Sequence, residues 1–192
     1  WNKPGVEVCV HAFVARDEVI QTLPWNWRGW HAGSGKNGSA NNTHISFECC
    51  EPAGHTYQNG KMVGYDVEKN EAYFQDIYRN AVELAAYLCK LYKLDPLADG
   101  VLICHSEGYR RGVASNHADV MHWWPKHGKD MDTFRAEVAA AVKGEAGMTV
   151  EEAKRVLKAK AGLSDTTITY LYNYRWGDDL LLKLAAAVEG KG

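Results

Sequence analysis

Apolar positions along this chain switch between a strand-like and a helix-like period, and the switches mark its elements. Val6 to Val14 is apolar and β-branched enough for a buried strand, and Val19 to Leu23 reads as its hairpin partner across Arg16-Asp17. Residues 33–42 are Gly-, Ser- and Asn-rich and therefore loop by composition. Ile45 to Cys50 forms a third apolar strand, and residues 52–66, with Pro, Gly, His, Gln and Asn, read as a surface excursion. From about Val67 to Tyr92 the period becomes helical. Tyr73, Ile77, Ala81, Leu84, Leu88 and Leu91 recur at spacings of three and four, while Glu68, Lys69, Arg79, Glu83 and Lys90 fall elsewhere. Asp95-Pro96 stops this helix. Val101 to Cys104 predicts a short central strand that delivers His105 at its end, and a further helix runs from Asp132 through Val142.

Beyond a hinge-like break from Lys143 to Gly147 the pattern is helical throughout. Thr149-Val150-Glu151-Glu152 reads as a capping box opening a helix to about Ala161. Ser164 predicts the cap of a second helix near Ile168–Tyr174, and Asp178 that of a third over Leu180–Val188. A tail of this size is near the lower limit for a domain that folds alone. Leu157, Leu163, Ile168, Leu171, Leu180, Leu181 and Leu184 supply an apolar set, and Tyr170, Tyr172, Tyr174 and Trp176 an aromatic cluster. That combination suits attachment to sugar rings, association with a second copy, or docking on the rest of the chain. The expected organisation is an α/β domain over residues 1–144, with a mixed central β-sheet flanked by helices, followed by a small helical appendage over 148–192.

Composition narrows the functional classes. With 192 residues, 46% apolar and 24% charged, the chain has the makings of an ordinary folded core. A net charge of −2 without a long basic run argues against nucleic acid as the main partner. No stretch reaches the ~18 apolar residues of a membrane span, and no signal peptide opens the chain. Seven Trp and ten Tyr suggest a surface that stacks on something, although any one of them can equally fill the core. Cys9, Cys49, Cys50, Cys89 and Cys104 are odd in number, lack a C-x-x-C pair and sit in apolar stretches, so buried free thiols are expected.

The densest chemistry lies at predicted strand ends, where His31, Glu48, His105, His117 and Asp119 converge. Residue types alone fit a metal centre or an acid–base site, and the spacing from His105 to His117-Ala118-Asp119 is loose. Cys104 beside His105 is not read as a nucleophile–base pair, because neighbours on a strand point to opposite faces.

Taken in order, these pieces resemble the zinc-dependent N-acetylmuramoyl-L-alanine amidases. That family includes phage endolysins, cytoplasmic anhydro-muropeptide amidases and peptidoglycan recognition proteins. Val10-His11-Ala12-Phe13 and Gln21-Thr22-Leu23-Pro24 match its two early strands, and Trp30-His31-Ala32-Gly33 matches its signature letter for letter. Asn42-Thr43-His44-Ile45-Ser46-Phe47-Glu48 resembles the glutamate strand, Cys104-His105-Ser106-Glu107 the histidine turn, and His117-Ala118-Asp119 with Trp123-Trp124-Pro125 the element that follows. The resemblance covers about residues 6–143.

The resemblance implies a peptidoglycan hydrolase that cleaves the amide between N-acetylmuramic acid and L-alanine with zinc-activated water. It implies His105 and Asp119 as zinc ligands, with His117 the rival to Asp119. It also implies Glu48 as general base, His117 as oxyanion stabiliser, and Trp30, His31 and Asn42 as groove residues for glycan and stem peptide. The family's first strand, Ile-x-x-His-x-Ser/Thr, carries a further zinc ligand and is not seen here. Because the chain opens on Trp1, about 30–40 upstream residues are expected to be missing from it. His11 matches a second-strand histidine and is not that ligand. If the upstream histidine is truly absent, the alternative is a non-catalytic peptidoglycan-binding module. Either protein acts at the cell wall. It is made in the cytoplasm like a phage or prophage endolysin, or is extracellular if an upstream signal is missing.

Overall fold

A computed structural model describes residues 5, 7–59, 61–143, 150–174 and 177–190. The chain forms two compact units, Trp1–Gly144 and Glu145–Gly192. The first is built on a three-stranded mixed sheet in the order β2-β1-β3, from β1 (Ala12–Val14), β2 (Val19–Gln21) and β3 (Phe47–Cys49). β2 runs antiparallel to β1 and β3 parallel to it, with Phe13 opposite Glu48. Ala12 and Val14 are fully buried, so β1 is the inner strand. The ladders are shorter than the apolar runs. Cys9 leaves the sheet to bridge Trp30, exchanging backbone hydrogen bonds of 3.0 and 2.9 Å.

A hairpin of β4 (Thr56–Gln58) and β5 (Lys61–Val63) occupies the stretch expected to be a surface excursion. Its signal was the Asn59-Gly60 dipeptide between strand-forming residues, and Asn59 indeed takes the left-handed conformation at φ 50°.

Helix α1 spans Val67–Tyr92. Asp66 caps its start, accepting a hydrogen bond from the Lys69 amide at 3.0 Å. Lys93 closes it in the left-handed conformation. The buried face is turned slightly from the expected stripe. Phe74, Ile77, Tyr78, Ala81, Leu84, Ala85 and Leu88 are buried, Tyr73 is half-buried, and Leu91 is exposed. The helix packs on β1, β3 and helix α3 (Met131–Lys143), as its aromatic residues require. Phe74 stacks on His127 with ring centres 4.0 Å apart and meets the edge of Trp123. Phe74→Ala should therefore cost about 3–5 kcal/mol, read as a lower urea midpoint with unchanged denaturant slope.

The expected strand at 101–104 does not form. The segment is irregular and leads into the short helix α2 (His105–Arg110). A strand needs a ladder partner, and here a cavity of about 180 Å3 is lined by Ile45–Cys49 on one wall and Val101–His105 on another. Among the described residues no strand pairs with β3 on the side away from β1. The segment is held instead by Arg135 of α3, whose Nε donates to the Leu102 carbonyl at 3.0 Å and whose guanidinium pairs with Glu107. Cys104 is thus a helix cap rather than a strand residue, and its Sγ lies 3.2 Å from Ser106 Oγ.

The second unit contains α4 (Val150–Ala161), α5 (Asp165–Tyr172) and α6 (Gly177–Glu189). Ala153, Leu157, Ile168, Leu181 and Ala185 form its buried core. Ser164 caps α5 as expected, accepting from the Thr167 amide at 3.1 Å. Asp178 falls inside α6 rather than ahead of it, because the helix begins at Gly177. Tyr170, Tyr172 and Tyr174 are exposed. The hinge residues 144–147, Thr149 of the expected capping box and Trp176 lie outside the described residues.

Candidate active site

The Trp30-His31-Ala32-Gly33 turn is fixed by one buried side chain. Asn41 Oδ1 accepts hydrogen bonds from the His31 and Ala32 amides, each at 2.8 Å. Gly33 has φ +66°, and a side chain there would meet Ser115 at 2.9 Å, so both backbone shape and close approach require glycine. His11 secures the neighbouring strand ends. Its Nδ1 accepts from the Ser46 amide at 3.1 Å, and its Nε2 therefore carries the proton it donates to the Trp27 carbonyl at 2.8 Å. His11 is structural in this arrangement. The turn delivers His31 to the cavity, where its Nε2 is buried without a hydrogen-bond partner. Burial, with the nearby His11, pushes the His31 pKa down to about 4, so the ring is neutral and offers an open polar atom to the cavity.

Glu48 reaches the same cavity from β3. Burial, followed by the charges of Asp119 and Glu51, raises its pKa to about 7, with His122 opposing. A carboxyl poised there can exchange protons at neutral pH.

His105 starts α2 and its amide donates to the Asp119 carbonyl at 3.0 Å. Its Nδ1 lies 3.9 Å from Asp119 Oδ2, and its Nε2 lies 3.3 Å from Ser115 Oγ. Burial first, then His117, lowers the His105 pKa against the pull of Asp119. His117 is exposed, with its ring centre 4.8 Å from that of His105 and its Nδ1 3.1 Å from Ser115 Oγ. Ser115 thus joins both histidines to the Ala32 carbonyl, to which its hydroxyl lies 3.2 Å away.

Glu48, His31, His105 and Asp119 therefore meet at one cavity, whereas Trp30, Asn42 and His117 are not part of its lining. Trp30 is half exposed, stacked under the Arg28 guanidinium at 4.4 Å, and Arg28 Nε donates to Asn42 Oδ1 at 2.6 Å. Arg28, Trp30 and Asn42 form an exposed aromatic and polar platform that includes the residue before His31.

Three residues were not anticipated: Glu51 and His122, which line the cavity, and Ser115, which contacts the His105 ring. His122 Nε2 lies 2.5 Å from Glu51 Oε1, and its Nδ1 is buried without a hydrogen bond, 3.5 Å from Asp119 Oδ1. Glu51 also accepts from His55 Nε2 at 2.9 Å and from the Tyr57 hydroxyl at 2.8 Å. Burial works against both charges of the Glu51–His122 pair, yet their mutual hydrogen bond leads the contributions that lower the Glu51 pKa and raise that of His122. The sequence signal for His122 was its place one residue before Trp123-Trp124-Pro125.

This fold has a solved counterpart. The crystal structure of the Staphylococcus aureus hydrolase AmiA in complex with its ligand superposes with a TM-score of 0.56 at 21% identity, over 72% of this chain and 62% of that one. The likeness defines the fold, a mixed α/β domain. Residues 2–126 match the family described as N-acetylmuramoyl-L-alanine amidase (Amidase_2), and the chain belongs to that family. It is also 46% identical over 52 residues to N-acetylmuramoyl-L-alanine amidase XlyA of Bacillus subtilis (strain 168), a stretch that makes up 27% of this chain and 17% of that protein. The chain thus spans less than two thirds of either relative.

Proposed function

We propose that this chain hydrolyses peptidoglycan at the amide between the lactyl group of N-acetylmuramic acid and L-alanine of the stem peptide. The observation that carries the reading is the facing pair His105 Nδ1 and Asp119 Oδ2, 3.9 Å apart, on the cavity that also holds Glu48. Water adds across the bond. Its oxygen joins the lactyl carbonyl carbon, the carbon–nitrogen bond breaks, and a proton passes to the alanine nitrogen. Glu48 takes the proton from the attacking water and returns it to the departing amine. His117, on an exposed loop beside His105, donates an N–H to the carbonyl oxygen as charge develops there. His31 Nε2 accepts a hydrogen bond from the substrate, and Trp30 with Asn42 stacks and orients the sugar or peptide outside the cavity.

The donor set suits zinc. Two ligands about 2.0–2.2 Å from zinc at a tetrahedral angle stand roughly 3.3–3.6 Å apart, close to the His105–Asp119 spacing. His105 also holds its other ring nitrogen against Ser115, the outer contact that zinc-binding histidines use. Zinc bound there would supply a Lewis acid for the carbonyl and an acidified water. Among the described residues no group of three or more His, Cys, Asp or Glu is placed to share a metal. A metal held by His105 and Asp119 would need a third donor besides them.

Incubating the zinc-supplemented protein with soluble muramoyl-peptides should release the stem peptide with a free L-alanine amine, identified by mass spectrometry. Cleavage at another bond would overturn the reading. Binding to sacculi without any product would support the runner-up, a peptidoglycan-binding module, which the two-donor count favours.

The helical unit, outside the family match, is proposed to serve attachment or self-association. Its exposed Tyr170, Tyr172 and Tyr174 suit either use. Deleting residues 148–192 should leave turnover on soluble muropeptide intact while lowering retention on sacculi or the molar mass by light scattering. Loss of the fold on deletion would show a single indivisible domain.

A further inference from the structure

Asp119 is a loop residue whose side chain is about half exposed, yet it must present one oxygen steadily if it is to hold a metal with His105. What faces its other oxygen is His122 Nδ1 at 3.5 Å, a buried ring nitrogen with no hydrogen bond. Its neighbour on that side belongs to the same turn, three residues on. The opposite ring nitrogen is fixed at 2.5 Å from Glu51, and Glu51 is in turn gripped by His55 and Tyr57 at the start of the β4–β5 hairpin. Glu51, His122 and Asp119 thus form a line running from the hairpin to the carboxylate, with Asp119 Oδ2 left pointing at His105.

Building on the metal reading above, we infer that His122, held by Glu51, is a positioning residue that orients Asp119 and leaves its other oxygen free for the metal. A histidine between two carboxylates does this well because its ring is rigid and its two nitrogens point apart. A shift of about half an ångström would bring Nδ1 to hydrogen-bond distance of Asp119 Oδ1. The hairpin then belongs to the site's support although none of its residues contacts the reacting atoms.

The test is metal binding by the full chain, with zinc alone titrated by calorimetry and cobalt(II) by its visible spectrum. His122→Ala and Glu51→Ala should each weaken zinc by about 10–100-fold, the usual range for an outer-shell partner. Both should alter the cobalt spectrum while far-ultraviolet circular dichroism stays unchanged. The double variant should be no worse than either single one, because the two act in series. Glu51→Gln, whose amide oxygen still accepts from His122, should bind nearly as the parent does. Glu51 lies on a partly exposed loop, so Glu51→Ala decides the matter if His122→Ala fails to fold. Parent-like zinc affinity in Glu51→Ala, or additive losses in the double variant, would overturn the inference while leaving the metal reading standing. Zinc binding in the parent that is absent, or insensitive to His105→Ala, would instead overturn the metal reading and this inference with it.

Discussion

Glu48→Gln should cut turnover of muramoyl-peptide by about 10²-fold or more while zinc content stays unchanged. The amide keeps the size and hydrogen-bonding reach of the carboxyl, so packing on β3 is preserved, but it cannot take a proton from water. Glu48 is suited to that role by its surroundings. Burial and the charges of Asp119 and Glu51 lift its pKa to about 7, so it both accepts and releases protons near neutrality. Near-normal cleavage by the glutamine variant would reduce Glu48 to a structural residue. Parallel loss of zinc would make it a ligand instead of a base.

The same shift has a stability signature. In the metal-free protein the folded state holds the Glu48 proton up to about pH 7, whereas the ordinary value is 4.5. Between these values the folded state binds more protons than the unfolded one, so Glu48 makes stability fall as pH rises from about 4.5 to about 7. Glu48→Gln should flatten that part of the profile, measured as urea midpoints across the range. A bound cation nearby would pull the pKa down again, so zinc should move the transition toward lower pH.

The legible parts of the chain were those with strong local signals. Helix α1 was readable at both ends, because a 26-residue amphipathic run stopped by Asp95-Pro96 leaves little choice. Ser164 likewise marked α5. Three-residue strands carry far less information, and the expected strand at 101–104 was misread because apolar content does not supply a ladder partner. The ordered motifs led to His31, Glu48, His105 and Asp119, which do share a cavity. They did not lead to Ser115, Glu51 or His122. The Glu51–His122 contact spans 71 positions and arises only when β3 and the loop after α2 are brought together. Pairings of that range leave no periodic trace in the sequence. Trp30 and Asn42 were singled out from the same motifs, but the fold places them on an exposed platform joined through Arg28.

His105→Ala should abolish zinc binding and hydrolysis together, the largest loss expected of any single change in the site. It removes the nitrogen that faces Asp119 and also Ser115's contact with the His105 ring. Asp119 alone cannot retain a metal that needs three protein donors, so the loss should exceed the ~10–100-fold expected when only an outer partner is removed. The fold should survive. His105 sits at the start of a six-residue helix, and its backbone bond to Asp119 does not depend on the side chain. His117→Ala is the control. It should lower turnover while leaving zinc bound, because His117 is exposed and, among the described residues, touches Ser115 and the His105 ring rather than Asp119. Metal analysis of these two variants and of Asp119→Ala after dialysis separates the assignments. Stoichiometric zinc in His105→Ala would rule out His105 as a ligand, and zinc lost from His117→Ala but kept in Asp119→Ala would make His117 the second ligand.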